Sequence, residues 1–142
     1  MQANLIAAVA TNVGPCFDDD MVRATMIARV NSLARGAFRH HGRQSSAICR
    51  CVQCGHLPVR TQQGLARNEW RSRSARRHCA LACGGKWKSR LNGEVIPSAE
   101  ALEKAGLKPM ELGFKEGLAL INGTSAMTGL ANHQHLTSSR RH

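Results

Sequence analysis

Tyrosine is absent from all 142 residues, which closes the chain to any chemistry that needs a phenol. Acidic residues are also scarce, nine Asp and Glu against twenty Lys and Arg. No apolar run approaches the length of a membrane span, and the N-terminus lacks the basic-then-apolar pattern of a secretory leader. Those two absences argue against a membrane protein and favour an intracellular one, with a cytoplasmic location expected. They also bear on the six cysteines. A secreted disulfide scaffold needs a leader, so free thiols or a metal site are the expected states.

What is present is unevenly placed. Between Gly36 and Arg90 lie twelve of the twenty cationic residues and one acid, Glu69, whereas the rest of the chain is electrically neutral. Five of the cysteines (Cys49, Cys51, Cys54, Cys79 and Cys83) fall in the same stretch. The chain is thus composite, two ordinary flanks around a basic, thiol-rich centre that could attract polyanions nonspecifically by charge.

The first flank predicts an amphipathic helix. Asp18, Asp19 and Asp20 can cap its start and complement the helix dipole. Val22, Met26, Ile27, Val30 and Leu33 follow at helical spacing, and Gly36 is a plausible stop. In the second flank Asn92-Gly93 marks a turn, Pro97-Ser98 can open a helix through Ala99–Ala105, and Gly106 can close it. Glu116–Leu130 is apolar and rich in small residues. The centre shows neither a period of two nor of 3.6, so pattern alone predicts disorder or loose collapse there.

The run Lys115-Glu116-Gly117-Leu118-Ala119-Leu120-Ile121-Asn122-Gly123-Thr124-Ser125 resembles a signature of the histidine and phenylalanine ammonia-lyase family. Ala101–Pro109, Gln2–Ile6 and Arg29–Gly36 resemble the same family, in the family's order. The resemblance implies an all-α architecture, a piece of the helical ammonia-lyase (fumarase/aspartase-like) fold, from an enzyme several times longer that works as a homotetramer with active sites shared between subunits. A fragment of it would leave apolar helix faces exposed. The organisation expected is a family-like segment at 1–36, a foreign centre at 37–90, a second family-like segment at 91–131, and an unrelated tail at 132–142.

The resemblance also implies a chemistry. Members use a methylidene-imidazolone electrophile, built from an internal Ala-Ser-Gly or Thr-Ser-Gly triad, which takes up the amine of an aromatic amino acid. A tyrosine base removes the β-proton, and ammonia is lost or moved to the neighbouring carbon. Carried over by position, Asn122 would face the electrophile and the substrate's polar end, although an Asn-Gly pair is otherwise simply a turn. Leu118 would touch the substrate ring or pack in the core. Val9 lies where histidine-specific members carry histidine, and so favours a phenylalanine-like substrate.

The triad belongs between Gly36 and Leu91 and is not there. The codons that encode Gly64–Ala75, read one base later, permit Gly-Ser-Leu-Gly-Thr-Ser-Gly-Asp-Leu-Ala-Pro-Leu, with Trp70 and Arg71 supplying the glycine of the triad. From Phe38 the same shift permits Ser-Gly-Ile, and from Gln53 to Pro58 it permits Asn-Ala-Gly-Ile followed by Pro. An extra base near Ala37 and a compensating loss near Ser89–Leu91 account for all three. As translated, the chain has neither the triad nor a tyrosine, and the family's base is expected upstream of Gln2, so catalysis by this polypeptide is not expected.

One alternative rests on the residues alone. Cys51-x2-Cys54-x-His56 and His78-Cys79-x3-Cys83 could hold zinc through Cys51, Cys54, Cys79 and Cys83, with the surrounding arginines suiting a nucleic acid. The three-residue spacing of the second pair and the lack of framing apolar positions count against it.

Overall fold

A computed structural model describes residues 15–35, 41–59, 87–112, 120 and 124–139. Helix α1 spans Asp19–Ala34, with Asp18 in extended conformation at its cap and Asp19 and Asp20 in its first turn. The acidic start therefore behaves as its sequence suggests, through the dipole rather than through a side-chain cap bond, which Asp18 does not make. Its buried stripe is Val22, Thr25, Met26, Arg29 and Leu33. Ile27 is instead 58% exposed, because it sits well round the helix from that stripe, and Val30 is only partly buried. Gly36, the expected stop, lies outside the described residues; the helix closes one residue earlier, at Arg35.

Helix α2, His41–Gln53, lies inside the stretch where periodicity predicted no regular element. The stripe it buries, Gln44, Ile48 and Cys51, does recur at helical spacing. One of those three residues is an amide and another a thiol, so the pattern was not apolar enough to register. The helix ends in a turn in which the Cys54 N–H donates to the Arg50 carbonyl at 2.9 Å, and Gly55 adopts φ +69°. A Cβ at Gly55 would stand 3.2 Å from Asn92 Oδ1 as well as being strained, so the position suits glycine.

The chain then enters β1 (His56–Pro58), the edge of a small antiparallel sheet completed by β2 (Lys88–Leu91) and β3 (Glu94–Pro97) in the order β1-β2-β3. His56 faces Leu91 across one ladder, and Ser89 faces Ile96 across the other. Asn92 and Gly93, both at positive φ, form the two-residue connection that the sequence marked.

Helix α3 (Ser98–Lys104) follows directly, held to the sheet by a hydrogen bond between the Ser89 and Ser98 hydroxyls. Its C-terminus is a Schellman motif. Gly106, at φ +66°, donates to the Glu103 carbonyl, and the Leu107 N–H reaches the Leu102 carbonyl at 2.8 Å. Helix α4, Ser125–Ser139, carries straight through the segment from Asn132 that the sequence reading set aside as a tail.

Helices α1 and α4 meet at Gly129, where an added Cβ would come within 2.6 Å of the Thr25 backbone. Val22, Met26, Leu33, Ile48, Cys51, Leu57, Leu102 and Leu120 form one core drawn from both flanks and from the centre. An Asp19–Arg90 ion pair ties the start of α1 to the hairpin. Helix dominates the described residues, with the small sheet an addition to the all-α expectation. No described helix is long and apolar enough to cross a membrane.

Candidate functional site

Val9, Leu118 and Asn122 all lie outside the described residues; the described residues nearest the last two are Leu120 and Thr124. Leu120 is fully buried in the core. Thr124 is exposed, and its carbonyl accepts the Thr128 N–H at 3.1 Å as α4 begins. Ser125, the first residue of α4, is 5% exposed, and its hydroxyl has no hydrogen-bond partner among the described residues. Of the signature run, Leu120 is thus a core leucine and Ser125 a buried helix start. Ser125 is a polar residue at this helix start that sequence reasoning did not single out, although its place at the end of the signature run was a signal.

The zinc alternative finds no support among the described residues. Cys51 is 1% exposed and packs among Ile48, Leu57 and Leu102, whereas Cys54 is exposed in the turn after α2. Burial, helped by the neighbouring Cys54, pushes the Cys51 thiol up to about 12. Among the described residues no three His, Cys, Asp or Glu side chains converge on a point. Cys79 and Cys83 lie outside the described residues. Of the central cations, Arg50 and Lys88 are exposed and Arg90 is engaged by Asp19.

The centre also puts polar groups where the core is. Gln44 is fully buried, and neither its amide nitrogen nor its amide oxygen has a hydrogen-bond partner among the described residues. His56 is fully buried as well, and both ring nitrogens are likewise without partners there. Burial lowers the His56 imidazole from 6.5 to about 4, so it is neutral at physiological pH. Unsatisfied buried polar groups of this kind cost stability and are few in evolved cores.

A groove of about 610 Å³ opens between α2 and the segment Gly106–Met110, with Ala47, Leu102 and Leu107 among its walls and Arg50 and Lys108 beside it. Of the described candidate site residues, Cys51 lines it and Cys54 does not.

Residues 1–140 match the family model described as aromatic amino acid lyase. Over 131 residues the chain is 42% identical to a tyrosine 2,3-aminomutase of Chondromyces crocatus, covering 92% of this chain and 24% of that protein. Over the same length it is 38% identical to a histidine ammonia-lyase of Salmonella choleraesuis, covering 26% of it. The fold superposes on the solved phenylalanine aminomutase of Pantoea agglomerans with a TM-score of 0.79 and 49% identity, over 91% of this chain and 24% of that one. The chain therefore spans about a quarter of the length of the relatives it matches. The match runs on to residue 140, taking in most of the segment expected to be an unrelated tail.

Proposed function

The chain belongs to the aromatic amino acid lyase family, and from that premise we propose that it is a catalytically silent portion of an ammonia-lyase or aminomutase whose centre is read out of frame. The parent reaction is elimination of ammonia from an aromatic amino acid, or the 2,3-shift of its amino group. Val9 and Leu118 give the parent pocket an apolar side, in keeping with a phenylalanine-like substrate, and Asn122 serves the polar end. Two of the relatives, named as tyrosine and phenylalanine aminomutases, favour the same substrate class. The active enzyme would be a cytoplasmic homotetramer.

The prosthetic group of the parent would be a methylidene-imidazolone, which supplies an electrophile for the substrate amine. The residues present do not fit it. Residues 1–142 contain no Ala-Ser-Gly or Thr-Ser-Gly from which it could form and no tyrosine to act as base. What remains is scaffold: Leu120 is buried in the core and α4 starts at Ser125, on either side of Asn122 in the chain.

The observation that carries the frame reading is His56. It occupies a fully buried strand position with both nitrogens unpartnered among the described residues. A histidine codon followed by a leucine codon, read one base later, permits only isoleucine or threonine, and isoleucine is what a buried strand position favours. On this reading residues 37–90 are the frame-shifted centre between two family-like segments, 1–36 and 91–131.

Nucleotide sequencing across codons 34–92 tests this. The shifted frame over codons 64–75 is expected to spell the triad within Gly-Ser-Leu-Gly-Thr-Ser-Gly-Asp-Leu, and codon 56 to give isoleucine. Any other string at the triad overturns the frame reading and leaves family membership untouched. If the string is present, the frame-restored, full-length enzyme should release ammonia from phenylalanine or convert it to the β-amino acid, whereas the chain as translated should do neither.

A further inference from the structure

We draw no further inference here: the strongest candidate, the groove between α2 and the Gly106–Met110 segment with Arg50 and Lys108 beside it, carries nothing because nothing in the structure shows what fills it.

Discussion

Replacing His56 with isoleucine should stabilise this chain, and the gain should grow as the solution is acidified. At neutral pH the imidazole is uncharged, and the cost lies in two ring nitrogens buried without partners among the described residues. An unsatisfied buried polar group costs about 1–3 kcal/mol, so H56I should raise the unfolding free energy by that order at pH 7.5. The acid term follows from linkage. The folded-state value is about 4, below the ordinary 6.5, so the unfolded chain binds the proton more readily. Stability is therefore unaffected by this group above about 6.5, falls as the pH drops from there, and is fully reduced below about 4. The displacement corresponds to on the order of 3 kcal/mol in all, with roughly half of it felt near pH 5. Urea unfolding of the native chain and of H56I, followed by far-ultraviolet circular dichroism at pH 7.5 and pH 5, gives the comparison directly. Groups common to both proteins cancel in the difference. An H56I variant no more stable than the parent at pH 7.5, or a stability gap that stays constant between the two pH values, would refute the reasoning.

Other outcomes follow from the same structure. Gln44→Leu removes a second unpartnered polar side chain from the core and should stabilise by about 1–2 kcal/mol, measured by the same urea titration; a loss of stability would mean that the amide is satisfied. Gly129→Ala should destabilise by about 1–3 kcal/mol, because its Cβ would collide with the Thr25 backbone, and a neutral result would show that α1 and α4 do not approach so closely. Under native conditions at pH 8, iodoacetamide should label Cys54 and spare Cys51 until denaturant is added, as read by peptide mass mapping; equal labelling would contradict the burial of Cys51. Purified protein should contain no stoichiometric zinc by elemental analysis, and one ion per chain would revive the cysteine alternative.

The parts of the fold legible in the sequence were those specified locally. The three aspartates announced α1, Asn92-Gly93 announced a two-residue turn, and Gly106 announced the end of α3, because each does its work through its own backbone or charge. Helix α2 was illegible for the opposite reason. Its placement depends on Ile48 and Cys51 reaching a core built by distant residues, while Gln44 on the same stripe argues against burial. Ile27 shows the limit within a helix that was otherwise read correctly, since its spacing alone could not say that it stands off the buried stripe. Val9, Leu118 and Asn122 came from resemblance rather than from pattern, and Ser125 emerged only when its burial could be seen.

The close seat of Gly129 on Thr25 also sets an order of events during synthesis. The two residues are separated by more than a hundred positions, so α1 cannot meet α4 until at least that many further residues have been made. At roughly 5–20 residues per second, the face of α1 around Thr25 waits on the order of ten seconds for α4, while a strongly cationic stretch emerges behind it. During that interval the side of α1 that will receive Gly129 depends on whatever else can shield it.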